Sequence, residues 1–195
     1  MATTSSITRL LPALGNAMVV YHRGTAQHSE RVGAIARAIG AGLGVSDTEI
    51  EVFHWAGLLH DIGKLAVPDE VLSKRGPLTA DEWVVVRRHP VVGSELLRTI
   101  SPGFDPVAGA VRAHHERWDG SGYPDGIAGL DIPLAGRVVA IADVYDALTH
   151  PRSYRPNAFP TDAAIEHLTT GAGVLYDPDA VEAFCAYLAQ AKRDQ

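Results

Sequence analysis

Seven side chains in this sequence are of the types that bind transition metals, and helical spacing turns them inward. They are five histidines and two aspartates on five separate segments: His28, His60, Asp61, His89, His114, His115 and Asp143. Imidazole nitrogens together with a bridging carboxylate are a typical ligand set of a transition-metal site that is open to water. Seven ligands are more than one ion needs and are enough for two ions about 3.5–4 Å apart. The sequence therefore predicts a binuclear metal centre.

The residues around these side chains explain why we expect them to face the interior. His28 lies four residues before Val32, so the two share one face of an amphipathic helix. His89 precedes Pro90. Because a proline disfavours helical geometry at the residue before it, we expect His89 at a break between two helices. Asp143 lies in a helix that is apolar on nearly every side and is therefore expected to be central.

Each of these residues also has a simpler interpretation when it is taken alone. A single inward histidine is more often a core residue bonded to a backbone carbonyl, and a single helical aspartate more often caps a neighbour or pairs with an arginine. An ionised carboxylate in an apolar helix costs several kcal/mol unless it is paired. Seven such groups would each need a separate partner, whereas one shared metal centre satisfies them all.

The other four histidines have no consistent inward register and are expected in solvated or capping roles: His22, His54, His150 and His167.

The apolar periodicity is helical almost throughout and predicts an all-α protein, a single compact helical bundle of eight or nine helices. Capping boxes at residues 46–49 and 79–82 each predict the start of a helix. Residues 1–24 are expected to form an N-terminal amphipathic helix used for packing or dimerisation. Its apolar stripe from Leu10 to Tyr21 would suit a helix pair in a homodimer.

Length, charge and composition exclude several other classes of protein. The 195 residues fit one domain and are too few for two well-cored ones. The net charge of −6 argues against a protein that binds polymeric nucleic acid through a basic surface. A single cysteine, Cys185, excludes an intrachain disulfide and suits a reducing compartment, so we expect a cytoplasmic protein. No apolar run is long enough to span a membrane.

Several motifs follow one another in a specific order along the chain. They are 60–64 (HDIGK), 114–124 (HHERWDGSGYP), 132–134 (IPL), 142–149 (ADVYDALT) and 152–155 (RSYR). Together they resemble the HD-GYP domains, a subfamily of the HD metal-dependent phosphohydrolase superfamily that acts on cyclic di-GMP. The resemblance covers roughly residues 25–190 and implies an HD-GYP catalytic domain over residues 25–192.

The resemblance implies a role for each candidate residue. One metal would be held by His28, His60, Asp61 and Asp143, and a second by His89, His114 and His115, with Asp61 bridging the two. Asp61 and Lys64 would be the catalytic residues, and Lys64 would also contact the substrate phosphate. Arg152 and Arg155 would bind the phosphates of the cyclic dinucleotide. Gly24 stands where some family members have a glutamate that binds a third metal, so we expect two metals here.

Two further residues have roles that the motifs leave less defined. Tyr123 is expected at the rim of the site, where its ring would stack on a guanine of the substrate. In the family the Gly-Tyr-Pro segment (residues 122–124 here) is also associated with diguanylate cyclase domains as partners, so the segment would alternatively serve a partner protein. Asp146, one turn after Asp143, is expected to orient a ligand histidine or Arg152 rather than to bind metal.

The implied activity is that of a phosphodiesterase that hydrolyses cyclic di-GMP to linear pGpG or on to GMP with a metal-activated water. The family implies iron or manganese, whereas an imidazole-rich site also accepts zinc or nickel. Two alternatives stay open. One is an HD hydrolase of another nucleotide, and the other is a non-catalytic module that binds the cyclic dinucleotide or a cyclase domain.

Overall fold

The computed structural model describes residues 26–151 and 157–193. Within these ranges the chain is all-α, as the periodicity predicts, with no β-strand and eight α-helices of more than one turn. The α-helices, numbered in chain order and including the single-turn α3, are α1 Ala26–Gly42, α2 Asp47–Leu59, α3 Asp69–Leu72, α4 Ala80–Val86, α5 His89–Ile100, α6 Asp105–Ala113, α7 Leu134–Thr149, α8 Thr161–Gly171 and α9 Pro178–Arg193.

Both predicted capping boxes are present. At the start of α2 the Ser46 hydroxyl accepts the backbone N–H of Glu49, and the Glu49 carboxylate accepts the backbone N–H of Ser46. Thr79 and Glu82 make the same reciprocal pair at the start of α4. These contacts satisfy backbone donors that have no partner within the helix.

The predicted break before Pro90 is also present. Helix α4 ends at Val86 and α5 begins at His89, with Pro90 in its first turn. A proline is tolerated there because a first-turn N–H has no partner within the helix. The chain therefore turns immediately before a candidate ligand and buries it at a helix N-terminus.

Helix α7 is the central element of the described bundle. It packs against α1, α2, α6 and α8, and its residues Val138, Val139, Ile141 and Ala142 are fully buried. This confirms the interpretation of the apolar segment around Asp143 as a central helix.

Some predictions fall on residues outside the described ranges. These are the N-terminal helix over residues 1–24, the two-metal expectation from Gly24, and the phosphate-binding roles of Arg152 and Arg155, all of which stay predictions. Among residues 26–151 and 157–193, no helix combines the length and the apolar character that crossing a bilayer requires.

Candidate metal centre

The seven candidate ligands lie around one centre although five different parts of the chain supply them. His28 comes from α1, His60 and Asp61 follow α2, His89 opens α5, His114 and His115 follow α6, and Asp143 lies on α7. His28, His60, Asp61, His89 and His114 are each at most 4% exposed. Buried polar groups need partners, so this burial calls for an explanation of what each group contacts.

The first group of ligands consists of His28, His60 and Asp143, whose ligand atoms all lie within 4.8 Å of one another. His28 Nε2 lies 3.2 Å from Asp143 Oδ1, and His60 Nε2 lies 3.9 Å from the same oxygen. The second group consists of His89, His114 and His115, which meet the same distance criterion. Each group offers three ligand atoms to one ion.

Asp61 lies between the two groups and faces both. Its Oδ2 lies 3.3 Å from His60 Nε2, and its Oδ1 lies 3.4 Å from His89 Nε2. Lys64, one turn further along the chain, places its Nζ 2.7 Å from Asp61 Oδ2. A carboxylate whose two oxygens face two separate histidine groups has the arrangement of a ligand that bridges two cations.

The ring orientation of four histidines is fixed in the same way. Nδ1 lies 2.7 Å from the Gly57 carbonyl in His60, 2.8 Å from the Val86 carbonyl in His89 and 2.6 Å from the Val111 carbonyl in His114. In His28, Nδ1 lies 2.6 Å from Asp146 Oδ2. Carbonyls and carboxylates only accept, so Nδ1 carries a hydrogen, and Nε2 is the nitrogen that faces the centre. Metal-binding histidines typically have this outer hydrogen bond.

Two contacts at the centre are unfavourable unless a cation lies there. His89 Nε2 and His114 Nε2 are 3.3 Å apart, and with both hydrogens on Nδ1 their lone pairs face each other. His60 Nε2 is buried without a hydrogen-bond partner. Ions bound to these nitrogens would remove both costs, so the donor set fits two metal ions.

The electrostatics of the site favour the protonation states that bind metal. Burial, helped by His115, lowers the pKa of His114 well below its ordinary value, and burial lowers the pKa of His115 to about 4. Burial alone would raise the pKa of Asp61, but Lys64 and His60 hold it well below the usual range. Burial would lower the pKa of His60, but the neighbouring carboxylates of Asp61 and Asp143 raise it overall. At neutral pH His114 and His115 are therefore neutral imidazoles and Asp61 is an ionised carboxylate, which are the forms that coordinate metals.

Two close backbone approaches bring these segments together. A Cβ at Gly57 would lie 2.8 Å from Gly33 Cα, so α1 and α2 touch where both lack a side chain, and the His28 and His60 rings meet at 5.1 Å. A Cβ at Gly63 would lie 1.9 Å from the His89 carbonyl oxygen. Gly63 therefore lets the segment after Asp61 lie directly on the start of α5.

Asp146 contacts His28 behind the centre, as expected of a residue that orients a ligand. Its carboxylate also pairs with Arg31 Nε and lies 3.0 Å from Arg31 Nη2 and 3.0 Å from His150 Nδ1. Burial raises the pKa of Asp146, but the hydrogen bonds of His28 and Arg31 lower it to about 2 overall. Sequence reasoning missed Arg31, although its spacing of three residues from His28 places both on one helix face.

The Gly-Tyr-Pro segment folds back over the second ligand group. The Tyr123 ring stacks on His115 with centroids 4.7 Å apart, and the Arg87 guanidinium lies 5.0 Å from the Tyr123 centroid. The expected stacking of a guanine on Tyr123 would therefore require Arg87 to be displaced. Glu116, which is 4% exposed, accepts the backbone N–H groups of Asp125 and Gly126 through Oε1 and so holds this segment in place.

A cavity of about 260 Å³ adjoins the centre, and three of its lining residues are the candidate ligands His114, His115 and Asp143. Arg117 and His167 also line it. Sequence reasoning missed His167, which comes from α8 and was expected in a solvated or capping role. His167 is exposed, but its Nε2 lies 3.0 Å from the Tyr176 hydroxyl at the cavity wall.

This fold and this centre belong to a recognised class. Residues 14–180 match the family model of the HD domain, and the chain belongs to the HD-domain family. The phosphohydrolases of this family are metal-dependent. The resemblance to HD-GYP domains is confirmed by the relatives that follow.

Two curated relatives align with most of the chain. RpfG of Xanthomonas campestris, named a cyclic di-GMP phosphodiesterase response regulator, is 44% identical over 181 residues, which cover 92% of this chain and 48% of RpfG. The 3′3′-cGAMP-specific phosphodiesterase 2 of Vibrio cholerae is 39% identical over 170 residues, which cover 87% of this chain and 32% of that protein. The chain thus spans less than half the length of either relative.

A solved structure supports the fold. Bd1817, an HDG"Y"P protein from Bdellovibrio bacteriovorus, superimposes with a TM-score of 0.70 at 19% sequence identity, over 96% of this chain and 65% of that one. At this identity the likeness concerns the arrangement of the helices.

Proposed function

We propose that this chain is a binuclear metal phosphodiesterase that hydrolyses cyclic di-GMP to linear pGpG or on to GMP. The observation that carries the proposal is the position of Asp61, whose two oxygens face His60 and His89 in separate ligand groups. Two divalent ions supply a nucleophilic hydroxide near neutral pH and neutralise the charge of a phosphodiester. We infer iron or manganese, the metals that the resemblance to HD-GYP domains implies, and both accept a mixed set of imidazoles and carboxylates.

Each candidate ligand has one task in this reaction, which is to hold an ion at a fixed place. The hydrogen bonds at Nδ1 of His28, His60, His89 and His114 fix the ring planes before the substrate arrives. Such preorganisation means that little rearrangement is needed when charge develops on the phosphate. The ionised Asp61 supplies the negative charge between the two groups.

Lys64 is the residue that we assign to the substrate phosphate. Its ammonium group lies 2.7 Å from Asp61 Oδ2, and its side chain is 29% exposed, so the charge is both close to the bridging carboxylate and accessible. A lysine in this position stabilises the negative charge that gathers on the non-bridging phosphate oxygens. Removing one such contact costs on the order of 3 kcal/mol of barrier, or about a hundredfold in rate.

Arg152 and Arg155 complete the proposal as ligands of the dinucleotide phosphates. Their support is the motif match at residues 152–155, shortly after the helix that carries Asp143. A homodimer through residues 1–24, docking of a diguanylate cyclase domain on the Gly-Tyr-Pro segment and a cytoplasmic location also stay predictions.

The direct test is hydrolysis by the purified protein. The chain is loaded anaerobically with Mn²⁺ or Fe²⁺ and incubated with cyclic di-GMP, and products are separated by chromatography. We expect pGpG or GMP from the wild type and none from Asp61→Asn. The matched control is Asp105→Asn, which changes a surface aspartate that is 61% exposed. A loaded wild type that binds cyclic di-GMP without forming product would favour a non-catalytic binding module instead.

A second substrate is favoured by one comparison. The Vibrio cholerae relative that is 39% identical is named as specific for 3′3′-cGAMP. The same assay with 3′3′-cGAMP, as the sole substrate and in competition with cyclic di-GMP, decides between these two cyclic dinucleotides.

A further inference from the structure

The cavity beside the candidate centre has the composition of a nucleobase site. Its volume of about 260 Å³ is just below the roughly 300–1,000 Å³ of pockets that enclose a complete drug-sized ligand. It therefore suits one part of a cyclic dinucleotide. Aromatic and aliphatic side chains form much of its wall: Tyr123, Tyr176, Val144 and Leu175. Flat apolar walls with a few polar groups are what a base needs for stacking and recognition.

One arginine, Arg117, lines this cavity. Among residues 26–151 and 157–193 it forms no salt bridge, although the hydrogen bonds of Ser121 and, more weakly, the charge of Arg117 lower the pKa of the exposed Asp119. Its Nη1 lies 3.4 Å from Ser121 Oγ, a long hydrogen bond. By contrast, three other arginines near the site each pair with an aspartate: Arg31 with Asp146, Arg112 with Asp125, and Arg137 with Asp177. The guanidinium of Arg117 is thus available to a ligand.

The backbone of Arg117 is held firmly relative to the centre. It follows the candidate ligands His114 and His115 directly, and the neighbouring Glu116 is buried and bonded to the backbone at 125–126. Gly122 packs so closely that a Cβ there would lie 2.4 Å from Arg117 N. The point from which the Arg117 side chain extends is therefore fixed relative to the candidate ligands.

We propose that Arg117 reads a guanine base of the substrate in this cavity, with its guanidinium donating to O6 and N7. This inference rests on the proposed function and names its specificity residue. Guanine presents two acceptors on that edge, which a bidentate arginine matches. Adenine presents its N6 amino group in place of O6, so two hydrogen-bond donors, this amino group and the guanidinium, would face each other. Tyr176, whose hydroxyl bonds to His167 Nε2, offers a ring held in one orientation beside the base.

The test compares substrates that differ in their bases. The values of kcat/KM are measured for cyclic di-GMP, 3′3′-cGAMP and cyclic di-AMP, and for bis(p-nitrophenyl) phosphate, which has no base. Binding of GMP and AMP to the metal-loaded protein is measured by calorimetry, which does not depend on turnover. The variants are Arg117→Gln, which removes the charge, and Arg117→Lys, which keeps the charge but cannot donate the paired hydrogen bonds of a planar guanidinium. Arg98→Gln is the matched control, since Arg98 is a surface arginine paired with Asp105.

We expect both Arg117 variants to lower kcat/KM for cyclic di-GMP on the order of tenfold, as for loss of one bidentate base contact. The preference over cyclic di-AMP and the preference for GMP over AMP fall by the same factor, while hydrolysis of the base-free ester is unchanged. An equal loss on all three dinucleotides, or retained selectivity in Arg117→Lys, would overturn the assignment. If the wild type hydrolyses only the base-free ester, the proposed function fails, and the GMP and AMP affinities still decide the role of Arg117.

Discussion

The two carboxylate oxygens of Asp61 face histidines of different groups. Oδ2 lies 3.3 Å from His60 Nε2 and Oδ1 lies 3.4 Å from His89 Nε2. The two histidine groups have no residue in common. We therefore expect each group to hold its own ion and Asp61 to contact both ions. The following predictions test this division and the contacts that maintain it.

Removing one histidine from each group should remove different ions. His28→Ala and His89→Ala are each expected to lower the metal content of the reconstituted protein from two equivalents per chain to about one, because each leaves the other group complete. Metal content is measured by inductively coupled plasma mass spectrometry. His54→Gln, which changes a histidine outside both groups, should keep two equivalents. Loss of both ions in either single variant would show that the groups do not bind independently.

Asp146 is a positioning residue for His28, and its replacement should weaken metal binding without removing a ligand. The loss of the 2.6 Å contact with His28 Nδ1 frees the ring to rotate and to change tautomer. Asp146→Ala is expected to raise the metal Kd about 10- to 100-fold, as is typical of outer-shell partners. Asp146→Asn, which retains one acceptor oxygen, should give a smaller increase. Unchanged affinity in both variants would contradict the role.

Gly63 permits the close packing that brings Asp61 to His89. In Gly63→Ala the new methyl group would lie 1.9 Å from the His89 carbonyl and 2.6 Å from Gly93 N, so backbone segments must separate. We expect the free energy of unfolding to fall by about 1–3 kcal/mol or more, measured by urea denaturation. Gly109→Ala is the matched control. A Cβ there meets nothing within 4 Å, and alanine in a helix should be neutral or up to about 1 kcal/mol stabilising.

Glu116 stabilises the Gly-Tyr-Pro segment through two backbone hydrogen bonds. Glu116→Ala leaves the N–H groups of Asp125 and Gly126 without their partner, at a cost of about 1–3 kcal/mol. Glu116→Gln keeps an acceptor oxygen and should recover most of the loss. Urea denaturation gives the free energies, and hydrogen exchange at residues 125 and 126 reports the local opening. Equal exchange in wild type and Glu116→Ala would rule out this function of the carboxylate.

Several features of the site follow from local signals that a sequence shows directly. The capping boxes at residues 46–49 and 79–82 and the break at His89–Pro90 depend only on near neighbours. The central position of the helix that carries Asp143 follows from its apolar residues. Helical register predicts that the seven candidate ligands face one centre, and the resemblance to HD-GYP domains implies how they divide between two metals. The structure brings all seven around one centre.

Other features depend on packing between distant segments and were not predictable. Arg87 lies over the Tyr123 ring, and His167 reaches the cavity from α8, but neither contact follows from spacing along the chain. The close approaches at Gly57 and Gly63 are likewise invisible in the sequence, since a glycine does not indicate what lies against it. The availability of Arg117 becomes apparent only when the pairing of the neighbouring arginines is known.

The central claim is that Asp61 connects two ions in one site, and the metal content of Asp61→Ala beside the wild type tests it most directly. After anaerobic reconstitution with Mn²⁺ and removal of free metal, mass spectrometry should give two equivalents per chain for the wild type. It should give one equivalent or less for Asp61→Ala, with the helical circular dichroism spectrum retained. A wild type that binds a single equivalent, or an Asp61→Ala variant that keeps both, would contradict the binuclear assignment.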